Sequence, residues 1–158
     1  SERPAAAEKR LVKGHFEVDL MHGARSKACI LTLVDRKTRL VLIRKLRDKS
    51  MEEVKKALVL TIRRYKIRTL TADNGSEFHD YKRIEQLTGA LFYFAKPYHS
   101  WERGTCENTN GLIRQYLPKR MSMSRLTQLG CNAIAGKLND RPRKVLNLLC
   151  PEEAYYDL

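Results

Sequence analysis

HFEVDLMHGARSKACILTLVDRKTRLVLIRKL, residues 15–46, is the stretch that decides the fold. His15 to His22 alternates, with Phe16, Val18 and Leu20 on one face and His15, Glu17, Asp19 and Met21 on the other. That is the two-residue period of a strand. Ala28 to Val34 is a nearly unbroken apolar run, as expected of a strand buried on both faces. Asp35-Arg36-Lys37-Thr38 is turn-like, and Arg39 to Leu46 resumes in leucine and β-branched residues. Three strands at this spacing predict an antiparallel meander.

Downstream the period becomes helical. Ser50-Met51-Glu52-Glu53 has the form of a capping box, and Met51, Val54, Leu58, Ile62 and Tyr65 then fall along one helix face. Ile67 to Thr71 predicts a short strand that runs into an Ala72-Asp73-Asn74-Gly75 loop. A helix from Ser76 to Thr88 ends at Gly89, and Leu91 to Ala95 is a fifth strand. Another helix covers Glu102 to Leu117 and stops at Pro118; a last one, capped by Ser124, runs to Leu138 before Arg141-Pro142-Arg143 breaks it. The order βββαβαβαα predicts an α/β fold with one mixed five-stranded sheet and helices on both faces. One domain over residues 14–158 is expected, behind a flexible segment 1–13; the start SERPAAAEKR suggests a piece of a longer protein.

Composition narrows the function. Lysine plus arginine total 31 against 18 acids, a net charge of +13 that points to a polyanionic partner, most simply nucleic acid. With 42% apolar and 31% charged residues the chain reads as a soluble folded protein, and no apolar run approaches the ~18 residues of a membrane span. Cys29, Cys106, Cys131 and Cys150 lack CxxC spacing, so buried, reduced thiols in a cytosolic compartment are expected.

Sheets of this kind concentrate function where strands end. Asp19 lies in the first strand, Asp73 just past the fourth, and Glu107 a turn and a half into the following long helix, with 53 and 33 residues between them. If the first and fourth strands are neighbours, the aspartates converge and a helix beside them adds the glutamate. Three converging carboxylates need a cation, and hard oxygen ligands suit Mg²⁺ or Mn²⁺. In a basic protein such a site handles phosphodiesters, with two ions serving the attacking and leaving oxygens. Each acid also has a structural reading: Asp19 as a strand-end acceptor, Asp73 as a turn former, Glu107 as a solvated partner of Arg103. Glu77, Asp35 and Glu17 have such readings too, with nothing in the pattern to lift them higher.

The helical wheel separates the glutamates. Cys106, Thr109, Ile113, Tyr116 and Leu117 form a packing face, and Arg103, Glu107, Asn110 and Arg114 an adjoining polar stripe. Glu102 sits at the helix start, where a negative charge suits the dipole. Trp101 reads first as a packing anchor and second as a stacking surface for a base. Lys96, Arg114, Lys119, Arg120 and Arg125 form either a solvated face or a track for a DNA backbone, and residues 141–144 add a further basic cluster.

FEVDLMHG (16–23), LTADNGSEF (70–78), PYHSWERGTCENTNGLIRQYLPK (97–119) and LNDRPRKVLNLLCPEEAYYDL (138–158) resemble the motifs of insertion-sequence transposases of the IS-thirty family. The resemblance implies a DDE, integrase-like core on an RNase H-like fold. It implies that Asp19, Asp73 and Glu107 are catalytic and hold two Mg²⁺ (or Mn²⁺) ions. DNA cleavage at element ends followed by strand transfer is the implied activity, with double-stranded DNA and a second copy as partners, in the bacterial cytoplasm at the nucleoid. Trp101, Arg103, Asn108, Asn110, Gly111 and Lys119 match the signature around the glutamate. Together with the basic stripe they place DNA contacts at Trp101, Arg103, Asn110, Arg114 and Lys119. Cys106 and Val18 depart from the family, which usually has Asn and Gly there, and its separate N-terminal DNA-recognition region is missing from this sequence. An RNase H-like nuclease without strand transfer and an inactive or domesticated DNA-binding module are the competing readings.

Overall fold

The structure, a computed structural model, describes residues 12–73, 75–95 and 104–156. In chain order the elements are β1 (His15–His22), β2 (Cys29–Asp35), β3 (Val41–Leu46), α1 (Met51–Tyr65), β4 (Thr69–Ala72), a 3₁₀ turn (Ser76–Phe78), α2 (Tyr81–Thr88), β5 (Leu91–Phe94), α3 (Gly104–Ile113), α4 (Gln128–Asn139), a second 3₁₀ turn (Lys144–Leu146) and α5 (Pro151–Tyr156). The sheet order is β3-β2-β1-β4-β5. The predicted meander is present, with β1–β2 and β2–β3 antiparallel, while β1–β4 and β4–β5 are parallel. A parallel neighbour needs a crossover, and α1 supplies it by carrying the chain from β3 at one edge to β4 beyond β1.

Both sheet faces are covered, as a central strand reading FEVDLM requires. Phe16 and Val18 of β1 pack with Leu31, Leu33 and Leu42 under Val54, Leu58 and Ile62 of α1, Ile84 of α2 and Tyr155 of α5. On the other face Met21, Ile30, Val41 and Ile43 meet Ile113 of α3 and Cys131, Ala135 and Leu138 of α4. The register explains this division: Val18 pairs with Leu33, Asp19 with Thr32 and Met21 with Ile30, and partners across an antiparallel ladder share a face.

The caps decide the helix boundaries. Ser50 Oγ accepts the Glu53 N–H at 3.3 Å and Gly89 closes α2 in the left-handed conformation at φ 79°, both as expected. The helix predicted over 76–88 is broken in two. Phe78 turns into the core against Phe92, and Asp80, at the start of α2, gives its carboxylate to Lys55 of α1 at 3.0 Å rather than to a helix N–H. Ser124 does not cap α4; Thr127 does, accepting the Gly130 N–H at 3.0 Å. Arg39 lies outside β3 because its backbone is left-handed, at φ 65°. The short α5 was not foreseen.

Asp35 is more than a turn former. It is fully buried and accepts the N–H groups of Gly14, Lys37 and Thr38. Burial pushes its carboxyl above the usual range, and those N–H bonds pull the other way. The outer strands are dressed by side chains. On β3, Gln128 bonds Lys45 N and Ile43 O, each at 2.8 Å, and Asn139 bonds Val41 N and O at 2.8 and 2.9 Å. On β5, Glu85 accepts the Phe92 N–H at 2.8 Å. All four cysteines are free and buried, as expected. Among the described residues no helix is long and apolar enough to cross a membrane.

Candidate active site

The parallel ladder pairs His15 with Thr69, Phe16 with Leu70 and Glu17 with Thr71. The same offset carried two residues further sets Asp19 level with Asp73, on strands that run about 4.8 Å apart. Asp73 is exposed, one residue past the end of β4. Asp19 is half-buried: one carboxylate oxygen accepts its neighbour Leu20 N–H at 2.9 Å, and the other accepts the Asn110 amide at 2.9 Å. Asn110 is itself oriented, because Thr32 Oγ1 donates to its Oδ1 at 3.2 Å. Two carboxylates lie close to Gly75. A Cβ on Gly75 would lie 2.8 Å from Glu77 Oε1 and 3.2 Å from Asp73 Oδ1, so both carboxylates fold back over this residue.

α3 brings Glu107 to the same side of the sheet. Thr105, Cys106, Thr109 and Ile113 are its buried positions, and Glu107 is exposed. The helix is fastened to β1 at two points. Asn110 reaches Asp19, and one turn earlier the Cys106 N–H donates to Glu17 Oε1 at 3.0 Å. Glu17 is fully buried and its other oxygen holds the Arg36 guanidinium, itself only 3% exposed. A carboxylate at this point satisfies one of the otherwise unpaired N–H groups of the first helical turn and complements the dipole. Glu17 was not singled out from sequence. The available signal was its cross-strand partner: Glu17 pairs with Val34, within a strand that reads as buried on both faces.

The polar stripe of α3 is used differently along its length. Asn110 commits its amide to Thr32 and Asp19. Arg114 donates to the carbonyls of Leu117 and His22 at 3.2 and 3.0 Å, and burial lowers its pKa. Lys119 is exposed beyond the helix. Trp101 and Arg103, along with Glu102, Lys96, Tyr98 and His99, lie outside the described residues. The donor chemistry at Asp19, Asp73 and Glu107 is all carboxylate oxygen and fits a hard divalent cation. Among the described residues, however, no three of His, Cys, Asp and Glu stand close enough together to hold a metal ion.

Comparison with known proteins speaks to the family and the fold. A family model described as Integrase core domain matches residues 10–100, a segment that includes Asp19 and Asp73 and ends before α3. The transposase for insertion sequence element IS4351 of Bacteroides fragilis is 48% identical over 156 residues, covering 98% of this chain and 48% of the relative. Transposase InsI for insertion sequence element IS30C of Escherichia coli is 41% identical over 155 residues, covering 96% of this chain and 40% of the relative. The chain thus spans about half the length of the curated relatives it matches. Among solved structures, the catalytic core domain of BIV integrase superposes with a TM-score of 0.70 at 19% identity, covering 91% of this chain and 94% of that one. At that identity the likeness speaks for the fold: an integrase-type, RNase H-like core.

Proposed function

This chain belongs to the integrase core domain family, and from that premise we propose that it is the catalytic core of an insertion-sequence transposase acting on double-stranded DNA. The observation that carries the reading is the parallel pairing of β1 with β4, which brings Asp19 and the Asp73 that follows β4 towards one another, with the Glu107 helix fastened to Asp19 through Asn110. In this reading the core nicks the end of an element and then joins the freed 3′-hydroxyl to a target phosphodiester, with no covalent enzyme intermediate. Two copies are needed to bring two ends together, so a homodimer belongs to the same proposal, as does action in the cytoplasm at the nucleoid.

Asp19, Asp73 and Glu107 are the residues that would hold divalent cations, Mg²⁺ or Mn²⁺. When bound, such ions activate the attacking oxygen and stabilise the leaving one. The chain's own contribution is orientation. Leu20 N–H and the Asn110 amide fix the Asp19 carboxylate, and the Glu17–Cys106 bond ties the first turn of α3 to β1. The net charge of +13 attracts the polyanion from a distance.

Glu107→Gln tests the reading. Because Glu107 is exposed, the variant should melt with the parent chain yet lose Mg²⁺-dependent cleavage of an element-end duplex by at least about a hundredfold. Full activity in the variant would overturn the assignment. A duplex with a free 3′-hydroxyl end separates the competitors. Joining to a second duplex marks a transposase, and nicking alone marks a nuclease. An inactive module would show neither, and no Mg²⁺-linked rise in melting temperature.

A further inference from the structure

α3 runs beside β1. The Cys106 N–H bonds Glu17, the Asn110 amide bonds Asp19, and Arg114 bonds the His22 carbonyl at the end of the strand. Beyond that point two loops far apart in sequence are joined: the β1–β2 turn and the loop between α3 and α4. The Ala24 N–H donates to Met121 O at 3.0 Å. A Cβ on Gly23 would lie 2.6 Å from that same oxygen, so glycine is what lets the two backbones touch. The second loop is itself held in place, with the Met121 N–H on Pro118 O at 3.0 Å and Met123 fully buried in the core beneath α3 and α4. Ser122 Oγ spans the join, 3.4 Å from Ser26 Oγ and 3.0 Å from Ser124 Oγ. Arg25 follows Ala24 and Arg120 precedes Met121, so two exposed cations flank one hydrogen bond between the loops. Lys119 and Arg125, also exposed, stand on the second loop.

Among the described residues none of these four cations is held in an ion pair. Lys27, on the same turn as Arg25, already faces the Asp48 carboxylate. Loops that bring like charges to one seam favour a partner with closely spaced negative charge. Arginine, lysine and serine are also among the side chains that contact phosphate oxygens on DNA. We propose that this seam is a docking surface for the phosphate backbone of duplex DNA, with Arg25 and Arg120 holding it from the two loops. The proposal rests on the DNA reading above. It adds the β1–β2 turn, where no residue was expected to meet DNA, and gives the duplex a hold away from the chemistry. From Glu107 to the end of α3 at Ile113 is about 9 Å, and the seam lies past that end. Carboxylates and seam together fix the direction in which the duplex leaves the reacting bond.

The test is duplex-DNA binding by the full chain over a range of salt. Losing one phosphate contact should reduce the slope of log affinity against log salt by about 0.9. Arg25→Gln and Arg120→Gln should each show that change and bind several-fold more weakly at fixed moderate salt. Both positions are exposed, so the variants should melt with the parent chain. Lys82→Gln removes the same charge from α2, on the other face of the sheet from α3, and should leave the slope as it is. A slope unchanged in both arginine variants, or lowered equally by Lys82→Gln, would overturn the seam while leaving the DNA reading intact. A slope lowered by Arg120→Gln but not by Arg25→Gln would confine the contact to the loop between α3 and α4 and overturn the joint surface. A parent chain that binds no duplex even at low salt would overturn both the seam and the DNA reading.

Discussion

Asn110 is the residue whose role changed most between sequence and structure. On the helical wheel it belongs to a stripe facing DNA; in the fold both ends of its amide are engaged within the protein. Thr32 fixes the oxygen end, so the NH₂ end must face Asp19. Asn110→Ala should therefore lower the single-turnover cleavage rate by roughly 10–100-fold, the usual effect of removing a group that orients a ligand. Its urea midpoint should correspond to a loss of no more than about 1.5 kcal/mol, one net hydrogen bond. Unaltered cleavage would mean that the Asn110 amide is not needed to orient Asp19. At this scale the sequence was legible where chemistry followed chain position. The expected neighbourhood of the first and fourth strands is present as the parallel β1–β4 pair, and Asp19 and Asp73 lie just beyond its last paired residues. Glu17 was not legible, because an acid on an alternating strand looks the same whether solvent or a helix lies above it. Only the arrival of α3 distinguishes the two cases.

At the scale of the element, α3 is held by a carboxylate that never meets solvent. Glu17→Ala would leave the Arg36 guanidinium buried and the Cys106 N–H unsatisfied, and should cost about 3–5 kcal/mol in urea unfolding. Replacing both partners by leucine should recover much of that stability, since a well-packed apolar pair often equals a buried ion pair. Cleavage should stay low in the double variant, because α3 would have lost one of its two fastenings to β1. If activity returned with stability, Glu17 would be structural only. This also explains why Cys106 is compatible with its place. Its side chain is fully buried, and the group that fastens the helix is its backbone N–H, which any residue but proline provides. Element boundaries were less legible than element order. The helix predicted over 76–88 fails because Phe78 is claimed by the core and Asp80 by Lys55, both tertiary demands that local pattern does not carry.

For the whole molecule, one sheet separates two cores, each with a buried thiol. Cys29 lies in the α1-side core and Cys131 in the α4-side core, and burial pushes both thiols up to about 11. Because β1, β2 and β3 each contribute to both cores, the layers should open together, and the two thiols should become reactive at the same urea concentration. Earlier labelling of Cys131 would show that the α3–α4 layer opens on its own. The order of the five strands and the helices between them was legible because it rests on period and crossover geometry, whereas α5 was not. The joining of the β1–β2 turn to the loop between α3 and α4 was not legible either, since these residues are scattered and only the packing brings them together. Finally, the amides of Gln128 and Asn139 and the carboxylate of Glu85 occupy backbone groups on the outermost strands, where another chain could otherwise attach. Copies meeting side by side at these points would find side chains already in the way of strand-to-strand pairing.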